Sequence, residues 1–497
     1  MQKYQLSKST FIRGLQCEKS LYLYKHHYDL KDEITQQLQA IFDQGNAVGL
    51  LAQELFPEGV DASPEDHFKI QESVLKTQDY LDKEESIIYE ATFQYNGVLA
   101  ALDILVKEED GWKAYEVKSS TSVSDTYLND ATIQFYTIVN SGIDLKDISI
   151  VYINNQYVKN GVINVSELFT IESVYDKVQT LLPDIPKKIA SLKEVIHNGS
   201  QPNIDIGPHC SKPYDCDFMG HCWKHVPEYS IFDISGMRIN KKMELYSNGI
   251  LTIDQVDKES SLLNATQKLQ IVSEQKGTIH IDNAKVQGFI QELIYPLYYL
   301  DFETMGPAIP IFDQSKPYQQ LVFQYSLHIE NEAGTVSHKE YLAEANPRID
   351  PRTGFMKRLI EDCGTEGDVL VYNIGFERNK LQDLISVYPR YNNEINNIIR
   401  RLKDLMIPFQ KKWYYTPEMK GSYSIKYVLP ALVPELSYAD LEIKEGGTAS
   451  TIFTQMLLGE HEGDIEKTRK ALLAYCELDT RAMVEILKVL KASTIPN

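Results

Sequence analysis

Three of the chain's six cysteines crowd into one short, loop-like stretch, His209-Cys210-Ser211-Lys212-Pro213-Tyr214-Asp215-Cys216-Asp217-Phe218-Met219-Gly220-His221-Cys222. Clustered thiols constrain a fold tightly, because thiolates that share a metal must meet in space whatever the chain does between them. Three thiolates leave a tetrahedral site one ligand short. Cys17, in Leu15-Gln16-Cys17-Glu18-Lys19, is able to supply the fourth from far upstream. Four cysteines suit either a 4Fe–4S cluster or Zn²⁺, and spacing does not choose between them. Six cysteines in 497 residues are too few for a disulfide scaffold. In a reducing compartment, clustered thiols more often hold metal. The plainer alternative is a set of reduced structural thiols, which suits Cys17 alone better than it suits the trio. Cys363 and Cys476 carry no partner signal and read as buried thiols.

Between Cys17 and the trio lies a strand–turn–strand pattern. Val98-Leu99-Ala100-Ala101-Leu102-Asp103-Ile104-Leu105-Val106 is an apolar strand, Lys107-Glu108-Glu109-Asp110-Gly111 a turn, and Trp112-Lys113-Ala114-Tyr115-Glu116-Val117-Lys118 the return strand. Side chains two apart on a strand share a face, so Glu116 and Lys118 point the same way and the hairpin brings Asp103 beside them. Two carboxylates on a rigid sheet make a hard oxygen site for Mg²⁺ or Mn²⁺. A cation so held activates water and neutralises charge on a phosphodiester, and Lys118 positions that water or steadies the developing charge. The same pattern also suits a surface hairpin whose polar residues face water.

A second acidic set follows. Tyr295-Pro296-Leu297-Tyr298-Tyr299-Leu300-Asp301-Phe302-Glu303-Thr304 is an apolar strand whose two acids, near its end, share a face. Asp368-Val369-Leu370-Val371-Tyr372 runs into Asn373-Ile374-Gly375-Phe376-Glu377. On a C-terminal helical pattern, Tyr475 and Asp479 stand four residues apart and so lie on one face. Four carboxylates converging from two strand ends and a helix hold two metals, which clamp the attacking and leaving oxygens of a phosphodiester. Tyr475 then orients the water. Taken singly, each element also reads as a plain strand end or a packed aromatic. It is the three in order that point to a site.

The length exceeds what one hydrophobic core usually supports. Residues 1–226 carry helices, strands and the cysteine-rich end. Residues 227–292 read as a helical connector, including a helix over Lys241–Ser247 closed by Gly249. Residues 293–497 alternate strand and helix. No apolar run approaches the roughly 20 residues of a membrane helix, and Met1-Gln2-Lys3-Tyr4 lacks a signal-peptide core. A cytoplasmic protein is expected. The formal net charge of −20 weighs against nonspecific nucleic-acid binding, although a local basic surface can coexist with it.

The motifs carry family resemblances. Asp103…Glu116-x-Lys118 resembles the RecB-like branch of the PD-(D/E)XK fold, which adds Glu90 before the metal aspartate and Gln134 on the following helix. A His common in an early helix of that family is replaced by Gly49, and the family's Tyr after the Gln stands off its usual spacing, with Tyr136 near. One Cys before this core and three after it resembles the iron–sulfur RecB-like nucleases, including the CRISPR-associated and AddB types. There a 4Fe–4S cluster, rather than zinc, staples the two ends of the domain. The first spacing here is wider than usual. Asp301-x-Glu303, Asn373-x-x-Phe376-Glu377 and Tyr475-x-x-x-Asp479 resemble the three motifs of the DEDD exonucleases of the DnaQ-like, ribonuclease H-like superfamily, in the tyrosine form and with Glu377 for the usual Asp. The C-terminal part, with Gly421-Ser422-Tyr423-Ser424-Ile425-Lys426-Tyr427-Val428-Leu429-Pro430, also looks like an uncharacterised bacterial domain family often fused behind RecB-like modules.

The expectation is therefore an α/β chain with a restriction-endonuclease-like domain, a helical connector and a ribonuclease H-like domain. It would hydrolyse DNA or RNA, preferably single strands, with 3′–5′ polarity implied by the second resemblance. The alternative is a non-catalytic binding or scaffold protein. Arg400-Arg401-Leu402-Lys403 and Lys411-Lys412-Trp413-Tyr414-Tyr415, with Lys420 and Lys426, interleave cations and rings as a single-strand path would, or form an amphipathic segment with a solvated face. Lys8, Arg13 and Lys19 make a second, smaller basic group, and Asp404 lies between the two basic runs as a support or a turn cap.

Overall fold

The computed structural model describes residues 5–66 and 69–494. It is a mixed α/β chain with several sheets, and its contacts divide it into two compact units. The first comprises Met1–His225 with Ala308–Tyr318; the second comprises Val226–Pro307 with Gln319–Asn497. Residues 227–292 thus group with the second unit. Among the described residues, no helix is long and apolar enough to cross a membrane.

The first unit is built on strands β1 (Leu6–Ser7), β2 (Val60–Asp61), β3 (Ile87–Tyr95), β4 (Val98–Glu108), β5 (Gly111–Lys118), β6 (Leu145–Ile153) and β7 (Phe169–Ser173). Their order is β2-β3-β4-β5-β6-β7, with β1 parallel to β4. Neighbours β3–β4, β4–β5 and β6–β7 run antiparallel; β2–β3 and β5–β6 run parallel. Alternation along β5 sends Ala114 to one face and Tyr115 and Val117 to the other. Ala114 packs in a core with Ala131, Phe135 and Ile138 of helix Asp125–Asn140. Tyr115 and Val117 pack with Val48 and Ala52 of helix Gln36–Ala52. Glu116 shares the face of Ala114, so the sheet aims it at helix Asp125–Asn140. A further core joins Leu6, Phe11 and Leu21 to Ile133, Ile185 and Leu192, fixing the N-terminal helices on the same layer.

The second unit holds β8 (His280–Ile281), β9 (Leu297–Met305), β10 (Leu321–Glu330), β11 (Val336–Leu342), β12 (Val369–Val371), β13 (Leu402–Asp404) and β14 (Tyr414–Tyr415). The main sheet runs β11-β10-β9-β12-β13, and β8 pairs with β14. β9, β10 and β11 are antiparallel neighbours, whereas β12 and β13 join parallel. Leu300 and Phe302 pack with Phe355, Met356, Leu381 and Ile398 of the helices on one face. Asp301 and Glu303 therefore point to the other face, where the long helix Ile465–Ser493 lies: its Cys476 meets Asp301, and Gln324 donates to its Leu472 carbonyl at 2.8 Å. Residues 231–271 close around Ile231, Ile234, Leu245, Ile253 and Ile271. The helix expected near 241–249 spans Ile239–Ser247, with Gly249 at φ 77° just beyond it.

Candidate functional site

In the first unit, the β4–β5 ladder runs from the turn to Ile104/Tyr115, one residue short of Asp103 and Glu116. There the Asp103 carboxylate replaces the next ladder acceptor by taking the Val117 N–H at 2.5 Å. Glu116 is almost fully buried. Its Oε1 lies 2.6 Å from both Lys118 Nζ and Lys8 Nζ, and its Oε2 accepts from Gln134 Nε2 at 2.5 Å. Lys118 also meets Asp130 at 2.5 Å. Burial pushes Asp103 well above the usual carboxylate range, and the nearby Glu116 pushes it further. Glu90, at φ 55° on the adjoining strand, rises to about 7, first from burial and then from Glu116. For Glu116 itself burial opposes ionisation, but Lys118, Lys8 and the Gln134 hydrogen bond outweigh it and hold the carboxyl well below its ordinary value. Asp103, Glu116, Lys118, Gln134 and Glu90 thus stand in one charged nest. Gly49, at the position of the expected histidine, has open space around it.

The four expected cysteines, Cys17, Cys210, Cys216 and Cys222, line one cavity with Ile204, Ile206, Phe218 and Met219. All four are free thiols. Cys222 is raised first by burial, then by the charge of the other three, although Lys19 opposes. Their mutual repulsion is what a cationic centre relieves. The two chain segments are pinned together beside the cavity. Arg13 makes a two-pronged ion pair with Asp217, and Gln16 Nε2 donates to the carbonyls of His209 and Tyr214 at 2.8 and 2.7 Å. The donor set therefore fits a thiolate-held metal group.

In the second unit, Asp301, Glu303, Glu377, Tyr475 and Asp479 line a single cleft with Tyr372, Asn373, Lys426 and Gly446. Ligand atoms of Asp301, Glu303 and Cys476 lie within 4.8 Å of one another. Asp479 Oδ1 accepts from Tyr438 Oη at 2.5 Å. Burial drives every one of these carboxyls upward. Asp301 lies well above the ordinary value, with Asp479, Glu303 and Glu377 adding repulsion. Glu303 rises to about 8 from burial and Asp479, with Lys426 opposing. Glu377 rises to about 8 from burial and the charge of Asp404. Asp479 rises to about 6 from burial, restrained by Tyr438 and Lys426. Glu377 Oε2 is buried without a hydrogen-bond partner among the described residues. A buried, unpaired acceptor among mutually repelling acids fits a divalent cation.

Glu377 owes its place to Asp404. Asn373 adopts a left-handed backbone at φ 87°, and helix Ile374–Val387 starts there without a side-chain cap of its own. Asp404, beside β12 on β13, accepts instead from the N–H groups of Asn373, Ile374 and Met406 at 3.2, 3.1 and 2.9 Å. It is both the turn cap and the support of the site.

Sequence reading missed Asp130, Tyr438, the pairing of Lys8 with Glu116 and the contact of Cys476 with Asp301. Only Asp130 carried a signal, standing four residues before Gln134 on one helix. The basic–aromatic strip needs correction. Arg401 is spent on the carbonyls of Cys363, Gly364, Glu366 and Gly367. Lys412 is buried, 4.0 Å from the Tyr415 ring centre, and Tyr414 and Tyr415 are buried too. These residues close the fold, leaving Arg400, Lys411 and Lys420 exposed and Lys426 at the cleft. Of the other basic group, Lys8 and Arg13 serve ion pairs.

Residues 298–424 match a family model described as "Domain of unknown function (DUF2779)". That span contains Asp301, Glu303, Glu377 and Asp404, and ends before Lys426, Tyr475 and Asp479. The chain is 30% identical over 214 residues to "Uncharacterized protein UU173" of Ureaplasma parvum, covering 38% of this chain and 30% of that protein. It is 31% identical over 225 residues to "Uncharacterized protein MG366 homolog" of Mycoplasma pneumoniae, covering 41% and 33%. With "Uncharacterized protein MG366" of Mycoplasma genitalium it shares 26% identity over 291 residues, covering 52% and 43%. The chain thus spans under half the length of these curated relatives, and its similarity to them and to the DUF2779 model is what the comparisons establish.

Proposed function

We propose that this chain is a metal-dependent nuclease that hydrolyses phosphodiester bonds of DNA or RNA, with its principal active centre in the acidic cleft of the second unit. One observation carries the reading: Asp301, Glu303, Glu377 and Asp479, drawn from β9, the helix after β12 and the last long helix, line the same cleft with Tyr475. The sheet order, three antiparallel strands followed by two parallel ones, supports the ribonuclease H-like reading of this unit. The β3–β4–β5 meander joined in parallel to β6 across a helix supports the PD-(D/E)XK reading of the first.

Mg²⁺ or Mn²⁺ on these carboxylates would supply the activated water and neutralise the phosphate. The chain's own groups do the rest. Gly446 lies at the cleft wall, where an added Cβ would stand 3.5 Å from Glu303 Oε2 and 3.8 Å from Tyr475 Oη. Tyr475 orients the attacking water. Lys426 carries the positive charge that meets the scissile phosphate. Tyr438 fixes Asp479 by its hydrogen bond. Trimming from the 3′ end follows from the DEDD resemblance. The four-cysteine cavity would hold a 4Fe–4S cluster that joins the two ends of the first unit.

A second reading applies to the first unit alone. Lys8 and Lys118 both neutralise Glu116, which favours a unit that grips nucleic acid over one that cuts it. The test is release of mononucleotides from labelled single-stranded DNA and RNA with Mg²⁺ or Mn²⁺. Chelator and Asp301→Asn are each expected to abolish release. Full activity in the chelated protein overturns the metal-dependent reading, and full activity in Asp301→Asn overturns the placement.

A further inference from the structure

The second unit holds a metal-ligand set that the cleft does not use. His328 on β10 and His338 on β11 are direct register partners across the antiparallel pair. Their rings lie 4.5 Å apart, tilted by 31°. Glu477 comes from helix Ile465–Ser493, and ligand atoms of His328, His338 and Glu477 all lie within 4.8 Å of one another. None of the three lines the acidic cleft.

The geometry points to a second, separate metal site here, for a borderline divalent transition ion such as Zn²⁺, held by His328, His338 and Glu477. Two imidazoles and one carboxylate are a zinc donor set, with water completing the tetrahedron. The hard-oxygen cleft differs in kind and prefers Mg²⁺ or Mn²⁺. The rings are already oriented as ligating histidines usually are, each with one nitrogen on an outer partner. His328 Nδ1 lies 2.8 Å from Thr480 Oγ1, and His338 Nε2 lies 2.9 Å from Ser326 Oγ. Those two hydroxyls meet at 2.7 Å, so one buried link serves both rings. The remaining nitrogen of each ring is the one that ligates. His328 is buried, whereas His338 and Glu477 are half-buried, so an ion enters from the His338 side.

The site ties the β10–β11 hairpin to the helix that carries Tyr475 and Asp479. Zinc here would hold that helix against the sheet without entering the cleft.

The test is isothermal titration of the full chain with Zn²⁺ in saturating Mg²⁺, comparing wild type, His338→Asn, Glu477→Gln and Cys216→Ser. His338 and Glu477 are chosen because neither is fully buried, and melting curves check that both variants fold. One zinc-binding event is expected to weaken at least about tenfold in His338→Asn and in Glu477→Gln, and to persist in Cys216→Ser. Unchanged binding in both folded variants overturns the assignment. So does loss of that event in Cys216→Ser alone, which gives the zinc to the cysteines. Nuclease activity plays no part in the readout, so this site and the proposed active cleft fail or stand separately.

Discussion

Lys8 Nζ lies 2.6 Å from Glu116 Oε1, a contact between residues 108 positions apart in sequence. It makes the first unit's acidic site a charge network in which two ammonium groups, Lys8 and Lys118, meet on one oxygen of Glu116. Among the described residues, Lys426 is the cation that opposes the rise of Glu303 and Asp479 in the second unit, and the carboxyls there are still pushed upward. Glu116 is thus held ionised, whereas Asp103 and Glu90 beside it are raised like the acids of the second unit.

Removing Lys8 exposes that difference. Lys8→Met leaves Glu116, with 2% of its side chain exposed, to Lys118 and Gln134. The expected loss is about 1–3 kcal/mol in metal-free buffer. Mn²⁺ is expected to recover part of it by taking the vacated place beside Glu116. Chemical denaturation with and without Mn²⁺ checks this; equal stability of wild type and variant contradicts it.

Asp404 touches no substrate in this account, yet its loss is expected to disable the cleft. Asp404→Ala removes the acceptor for three backbone N–H groups, costing about 1–3 kcal/mol. Glu377 lies in the first turn of the helix that those bonds anchor. Nucleotide release is expected to fall at least about tenfold, with Asp404→Asn intermediate because one carbonyl oxygen still accepts. Wild-type rates in Asp404→Ala would remove Asp404 from a positioning role.

The raised carboxyls give a signed pH dependence. Glu303 and Glu377 titrate from 4.5 when unfolded to about 8 when folded, so the metal-free fold is most favoured below pH 4.5 with respect to these groups. That contribution is lost progressively as pH rises to about 8, because the unfolded chain ionises first. A cation binds the ionised form, so Mn²⁺ affinity is expected to climb over that window and to release protons. Glu377→Gln, with nothing left to ionise at that position, is expected to flatten part of the metal-free stability profile. Melting temperature against pH, with and without Mn²⁺, measures both. A Mn²⁺ affinity that falls from pH 6 to pH 8 contradicts the account.

The cysteine cavity is expected to speak to the first unit's site. Tyr214 of the cysteine loop interacts with Tyr127, whose ring centre lies 5.2 Å from Lys118 Nζ. Cys216→Ser is expected to remove broad visible absorption from anaerobically purified protein, to lower iron content, and to destabilise the first unit by several kcal/mol. A colourless wild-type protein with one bound zinc at the cysteines would assign the cavity to zinc.

Much of this was legible in the sequence, for local reasons. The period-2 alternation of β4 and β5 put Glu116 and Lys118 on one face, and the structure joins them at 2.6 Å. The helical spacing of Tyr475 and Asp479 placed both on the cleft. The pairing of Lys8 with Glu116 was hidden because β1 is two residues long and pairs in parallel with β4, which leaves no periodic signature. Tyr438 sits on a single short turn whose direction only the packed fold sets. The 400–415 strip misled because composition does not tell a lysine facing phosphate from one folded over a tyrosine, as Lys412 is over Tyr415. Asp404 was legible as a support or a turn cap, but nothing local in the sequence tied it to the helix after Asn373, whose backbone is left-handed at φ 87°.

The central claim is that acids remote along the chain form a working phosphodiesterase centre in the second unit. The direct measurement is the initial rate of nucleotide release from an end-labelled single strand with Mn²⁺, for wild type, Asp479→Asn and Glu116→Gln side by side. The account predicts loss of release in Asp479→Asn and substantial retention in Glu116→Gln. Undiminished release in Asp479→Asn, or none in a folded, metal-loaded wild type, would contradict it.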